Sequence, residues 1–147
     1  MITWLGLPYT KSHIHYNIFF MKRILVVDDD KDVLEVVRLT LKAKGYDVLT
    51  IFQAGETFKK IAEFRPDILL LDVYLGLFNG IDVCNELKSN PLTRDIPVIM
   101  FSANNDPELV LKKCKADAFI SKPFNIHYLA EVIEQHMQGH AGSHTTG

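Results

Sequence analysis

The sequence predicts an α/β fold in which one parallel sheet is covered on both faces by helices. Three observations lead there. Five short runs rich in Val, Ile, Leu or Phe recur between residues 23 and 121. Several lack the apolar/polar alternation of a half-exposed strand, as expected for strands buried on both faces. Between the runs lie segments whose apolar residues recur at helical spacing, and strict alternation of strand and helix implies parallel strands joined by right-handed crossovers.

Taken in order, the strands are "RILVV" at 23–27, "DVLTIF" at 47–52, "DILLL" at 67–71, "PVIMF" at 97–101 and "AFIS" at 118–121. A first helix is expected over 31–44, where Val33, Leu34, Val37 and Leu41 share a face and Gly45 follows as a left-handed cap. Phe58, Ile61 and Ala62 mark a second helix, with Pro66 opening the next strand. Ile81, Cys84 and Leu87 mark a third, closed by "SNP" at 89–91. Pro107 suits the first turn of a short fourth helix, and Ile126, Leu129, Val132, Ile133 and His136 stripe a fifth. These stripes are read as core packing.

The chain has 147 residues, enough for one domain with a real core. A net charge of −2 gives no reason to expect nucleic acid or an anionic membrane as partner. No apolar run approaches the roughly 18 residues that span a bilayer, so membrane insertion is not expected. Cys84 and Cys114 lack metal-ligand spacing and are read as buried reduced thiols, which suits a cytoplasmic location. The first twenty residues lack a basic n-region and a cleavage site, and "MKRILVV" at Met21 reads as a natural domain start. Residues 1–20 are therefore taken as an extension, either an over-extended start or an interface arm, since Ile14, Tyr16, Ile18 and Phe20 alternate at strand period. The pair His13/His15 is too small a set to argue a metal site. The tail at 139–147, "GHAGSHTTG", has the composition of a disordered segment.

In an open parallel sheet the functional crevice lies beyond the carboxyl ends of the strands, where strand order reverses. The first strand runs out into Asp28 and Asp29, the third into Asp72, the fourth into Ser102, and the fifth into Lys122 followed by Pro123. Clustered carboxylates repel and so serve a cation, a proton or a phosphoryl group. Three around one spot form a hard oxygen site suited to Mg²⁺, which takes a few carboxylates and leaves room for a phosphoryl oxygen. A hydroxyl and an ammonium aimed at the same place are what a phosphoryl group needs on its other oxygens. Asp72 is then a credible nucleophile, forming an aspartyl phosphate. Singly, each residue has an ordinary role: a helix cap for Asp28 or Asp29, a turn for Ser102, a solvated surface for Lys122. Their conjunction at four strand ends favours function. Asp30 and Asp32 lack that support and are assigned to capping and the helix dipole.

Four stretches, "ILVVDDD", "PDILLLDVYLGLFNG", "IPVIMFSA" and "AFISKPF", resemble in order and spacing the receiver domains of two-component response regulators, of the single-domain chemotaxis type. The resemblance covers roughly Met21 to Gln138, making 21–138 the receiver domain. It implies a flavodoxin-like three-layer sandwich with strand order 2-1-3-4-5. It implies that Asp72 accepts a phosphoryl group from a sensor histidine kinase or phosphotransfer protein, and that Asp28, Asp29, Asp72 and the backbone carbonyl of Tyr74 hold Mg²⁺, Asp29 directly and Asp28 through water. Ser102 and Lys122 would contact the phosphoryl oxygens, and the Lys122–Pro123 bond would be cis. Ser102 and Phe119 would form the switch that presents the helix 4/strand 5/helix 5 face to a downstream protein, with phosphorylation-dependent dimerisation also admitted. No metabolite would be turned over.

Some positions depart from the family pattern. Gly76 stands where proline is common, so a looser loop is expected; Lys115 stands where glycine commonly closes the fourth helix, and the segment between Ser102 and Lys122 is short. Tyr74 and Asn104 occupy places that shape phosphate lifetime in the family. Two other readings compete. Asp28-x-Asp30, Ser102 and Lys122 mimic the order of haloacid-dehalogenase-like phosphohydrolases, but this leaves Asp72 unexplained. A receiver-shaped binding module that works without phosphate is the other. Neither GxGxxG nor GxxxxGK[ST] occurs, so dinucleotide binding finds no support.

Overall fold

The computed structural model describes residues 21–103 and 106–138. The N-terminal stretch 1–20 with His13 and His15, the tail 139–147 and Asn104 lie outside the described residues. Strands β1 (Arg23–Val27), β2 (Asp47–Ile51), β3 (Ile68–Asp72), β4 (Val98–Ser102) and β5 (Ala118–Ser121) form one sheet. Its order is β2-β1-β3-β4-β5 with every pairing parallel. Helices α1 (Lys31–Ala43), α2 (Thr57–Phe64), α3 (Gly80–Ser89), α4 (Pro107–Cys114) and α5 (Ile126–Gln138) alternate with the strands. The flavodoxin-like architecture and strand order expected from the sequence are those observed.

Strand periodicity divides the core in two. Leu25, Val27, Leu69, Leu71, Val98 and Met100 pack against Ile61 of α2, Val83 and Leu87 of α3, and Val110 of α4. Their neighbours Ile24, Val26, Ile68, Leu70, Ile99 and Phe101 pack against Leu34, Val37 and Leu41 of α1 and Leu129 and Ile133 of α5. Both faces of the central strands are thus dry, which is why their sequences do not alternate. Truncating any of these leucines, isoleucines, Met100 or Phe101 to alanine is expected to cost about 2–5 kcal/mol. β3 and β4 each extend one residue beyond the apolar run, through Asp72 and Ser102, because ladder pairing involves the backbone and continues where the side chain turns polar; Asp72 sits opposite Phe101.

Local chemistry sets the helix ends. The Asp30 carboxylate accepts from the N–H groups of Asp32 at 2.9 Å and Val33 at 3.3 Å, the capping role expected of it. Asp106 does the same for Glu108 and Leu109 ahead of Pro107 at the first turn of α4. α4 then closes on Lys115 at φ 52°, a left-handed conformation that costs a non-glycine residue about 1 kcal/mol or more. The site commonly filled by glycine thus keeps glycine's geometry without glycine.

At the amino ends of β4 and β5, the Lys88 ammonium donates to the carbonyls of Arg94 (3.2 Å) and Ile96 (2.8 Å) and to the Asp117 carboxylate (2.9 Å). Asp117 also accepts the Val98 N–H at 2.8 Å. One side chain therefore ties the end of α3, the following loop and two strand starts together. Cys84 and Cys114 are both buried free thiols, as expected, with the Cys84 Sγ donating to the Cys114 carbonyl. Among the described residues no helix is long and apolar enough to cross a membrane.

Candidate functional site

Strand order reverses between β1 and β3, and the polar strand-end residues gather at their carboxyl ends. Asp28 follows β1, Asp72 and Ser102 end β3 and β4, and Lys122 follows β5. Carboxylate oxygens of Asp28, Asp29 and Asp72 lie within 4.8 Å of one another. Asp28 and Asp72 are buried and Asp29 is exposed, so the cluster has one open side.

Lys122 joins the two buried acids. Its Nζ donates to Asp28 Oδ2 at 2.5 Å and to Asp72 Oδ2 at 2.9 Å. The remaining oxygens are also engaged: Asp28 Oδ1 accepts the Asp30 N–H at 2.9 Å, and Asp72 Oδ1 accepts the Tyr74 N–H at 3.2 Å. The Lys122–Pro123 bond is cis, and the Lys122 N–H donates to the Ser102 carbonyl at 2.9 Å. Ser102 is buried, and its Oγ donates to the Ala103 carbonyl at 3.1 Å. Phe101, just before Ser102, lies under the Lys122 ammonium with its ring centroid 4.6 Å from Nζ.

The electrostatics follow from burial. Loss of water pushes the Asp28 carboxyl up to about 6; Lys122 and the Asp30 N–H act against this, and the charge of Asp72 adds to it. Burial opposes the Lys122 charge, but its hydrogen bonds to Asp28 and Asp72 outweigh that effect and raise its pKa. The ammonium therefore stays charged at neutral pH.

The cluster suits a hard divalent cation, since three acidic side chains offer oxygens to one point and a single ammonium cannot balance them. The structure brings together Asp28, Asp29, Asp72 and Lys122, with Ser102 on the adjoining strand. Tyr74 contributes a backbone contact while its side chain is exposed. Phe119 lies apart from the cluster, opposite Met100 in the sheet, half-buried against the α2–α4 side of the core. An apolar groove of about 470 Å³ opens beside Lys122, walled by Val33, Val36, Pro123, Phe124 and Ile126.

Two supports have no role in the sequence reading. Asn79 caps α3, its side chain accepting the Ile81 N–H at 2.8 Å. Gly80 packs so closely that a Cβ there would stand 1.9 Å from the carbonyl oxygen of Asp72. The available signal was the dipeptide "NG" directly ahead of the third helical stripe. The loop expected to be looser carries a short hairpin, Tyr74–Leu75 against Phe78–Asn79, with Gly76 at φ +66° in its turn.

Residues 24–134 match the family described as the response regulator receiver domain. The DNA-binding response regulator MtrA of Mycolicibacterium smegmatis is 37% identical over 105 residues, covering 70% of this chain and 45% of that protein. The alkaline phosphatase synthesis transcriptional regulatory protein PhoP of Bacillus subtilis is 34% identical, covering 71% of this chain and 43% of its own. The chain thus spans about half the length of the curated relatives it matches. Among solved structures, a response regulator receiver domain protein (CheY-like) of Methanospirillum hungatei superposes with a TM-score of 0.75 at 30% identity, covering 81% of this chain and 95% of that one. The signal receiver domain of a signal transduction histidine kinase from Syntrophus aciditrophicus gives 0.77 at 28% identity, covering 86% and 97%.

Proposed function

Because the chain belongs to the response regulator receiver domain family, we propose that residues 21–138 form a phosphoacceptor switch in which Asp72 takes a phosphoryl group from a sensor histidine kinase or phosphotransfer protein. The observation that carries this reading is the Lys122 ammonium shared between Asp28 and Asp72 beside the exposed Asp29. A carboxylate oxygen of Asp72 attacks phosphorus, an O–P bond forms, and the P–N bond to the donor imidazole breaks as that ring takes up a proton. In this reading Lys122 holds one phosphoryl oxygen and Ser102 another, so the work is positioning and charge stabilisation. Asp29, Asp72 and the Tyr74 carbonyl would hold Mg²⁺ directly and Asp28 through water. The bound ion would neutralise charge on the transferring group.

The output is a shift at Ser102 and Phe119 that alters the face built from α4, β5 and α5 and so controls a protein partner. Self-phosphorylation and slow dephosphorylation are the chemistry of this switch, with no metabolite turned over. In the same reading Tyr74, exposed two residues beyond Asp72, shapes water access and hence phosphate lifetime. The names of the two relatives that mention DNA binding or transcription describe those longer proteins; this reading assigns residues 21–138 no nucleic-acid contact. The phosphohydrolase pattern requires Asp30 at the reaction centre, whereas its carboxylate caps α1.

The test is incubation with acetyl phosphate, with and without Mg²⁺, followed by intact mass beside Asp72→Asn. A single phosphoryl adduct requiring both Mg²⁺ and Asp72 is expected. No adduct, under conditions that modify a known receiver, would overturn the reading in favour of a phosphate-independent binding module.

A further inference from the structure

Lys122 has a third neighbour besides its two carboxylates. The Phe101 ring lies with its centroid 4.6 Å from Nζ, within the range of a cation–π contact. Phe101 is 1% exposed, and its ring makes a T-shaped contact with Phe124, centroids 6.1 Å apart and planes at 76°. The lysine is therefore held from two sides, by acids and by an aromatic ring.

These partners differ in what the reaction does to them. When an oxygen of Asp72 bonds to phosphorus its negative charge moves onto the phosphoryl group, so the pull on Lys122 is redirected. Asp28 lies in the cluster that a divalent cation would occupy, and its attraction for the ammonium weakens as that charge is balanced. The ring is untouched by either event.

Resting on the phosphoacceptor reading above, we propose that Phe101 is a positioning residue for Lys122, keeping the ammonium within reach of the group bonded to Asp72 as its carboxylate partners change. Phe124 acts one step further back by fixing the ring. A phenylalanine that merely fills the core would contribute by shape alone; a positioning ring contributes through the electron density of its face.

The experiment separates these by replacing Phe101 with 4-fluorophenylalanine and with 3,4,5-trifluorophenylalanine, which keep the ring's shape while withdrawing density from its face, beside Phe101→Leu. In metal-free protein, the ε-methylene protons of Lys122 should show a ring-current shift that persists in the fluorinated proteins and disappears in Phe101→Leu. With acetyl phosphate and Mg²⁺, the adduct should form progressively more slowly with fluorination, by about three- to tenfold for the trifluoro ring, from the usual strength of a partly desolvated cation–π contact. A trifluoro protein that melts near the wild type and is phosphorylated at its rate would overturn the proposal. So would a wild-type spectrum with no ring-current shift. A wild-type protein that forms no adduct overturns the phosphoacceptor reading itself, a different result from an adduct indifferent to the ring.

Discussion

Replacing Asp28 with asparagine should make the protein more stable at neutral pH, although it removes a hydrogen-bonded ion pair. The Asp28 side chain is fully buried, and its carboxyl is pushed from an ordinary 3.8 up to about 6. Below the lower value both folded and unfolded chains hold the proton, and ionisation contributes nothing. Between the two values the unfolded chain releases a proton that the folded chain keeps, so stability falls as pH rises through this window. At about 1.4 kcal/mol for each pH unit, the full cost above pH 6 is about 3 kcal/mol. Asparagine avoids it and can keep the bond from the Asp30 N–H. The attraction of Lys122 for the Asp28 anion is already contained in the net value of about 6, and in the variant the ammonium keeps Asp72 as its partner.

The net expectation is a gain of about 2–3 kcal/mol at pH 7.5, or a rise in Tm of about 8–12 °C, shrinking toward zero near pH 4. Urea unfolding of both proteins at the two pH values measures it. Added Mg²⁺ should stabilise the wild type more than the variant and so narrow the difference. An Asp28→Asn protein less stable than wild type at pH 7.5, or a gain equal at both pH values, would refute the reasoning that burial of charge dominates at this position.

Three other substitutions test neighbouring parts. Lys122→Met leaves two buried carboxylates facing each other and should cost about 3 kcal/mol at pH 7.5, with much of the loss recovered near pH 5 as a carboxylate takes up a proton; paired unfolding curves would show it. Lys88→Met takes the ammonium from the Asp117 carboxylate and two carbonyls at the opposite end of the sheet, and should cost about 1–2 kcal/mol while leaving the rate of phosphoryl adduct formation unchanged. Gly80→Ala drives a Cβ into the Asp72 carbonyl, so it should cost about 3 kcal/mol or more, with adduct formation lost even at temperatures where the variant remains folded by circular dichroism.

The fold was legible because its cues are local. Runs such as Ile68–Leu71 announce double burial by lacking alternation, and Asp30, Pro107 and Gly45 mark helix ends by their own conformational preferences. The site was legible in outline for a related reason: in a parallel sheet the residue after each strand is delivered to one rim, so Asp28, Asp72, Ser102 and Lys122 could be placed together from order alone. What the sequence withheld concerns pairs distant along the chain. That Lys122 bonds both Asp28 and Asp72, 94 and 50 residues away, depends on side-chain reach. The Gly80 contact with Asp72 depends on how closely α3 approaches β3, and the Lys88 clamp on where a loop returns. Lys115 shows the converse limit: residue type argued against a left-handed cap, and tertiary context imposed one.

The clamp at Lys88 also bears on how α4 can respond. The helix ends at Cys114, the Lys115 N–H donates to the Leu111 carbonyl, and three residues after Cys114 the Asp117 N–H donates to the Val98 carbonyl while its carboxylate is gripped by Lys88 and the Val98 N–H. The carboxyl end of α4 is thus moored to the start of β4, whereas its amino end follows the strand's far end at Ser102. A displacement at Ser102 should swing α4 as a lever about a fixed fulcrum, with the largest travel in its first turn. Amide exchange should show protection rising from Leu109 toward Lys115, and a flat profile would mean that the helix instead shifts as a whole.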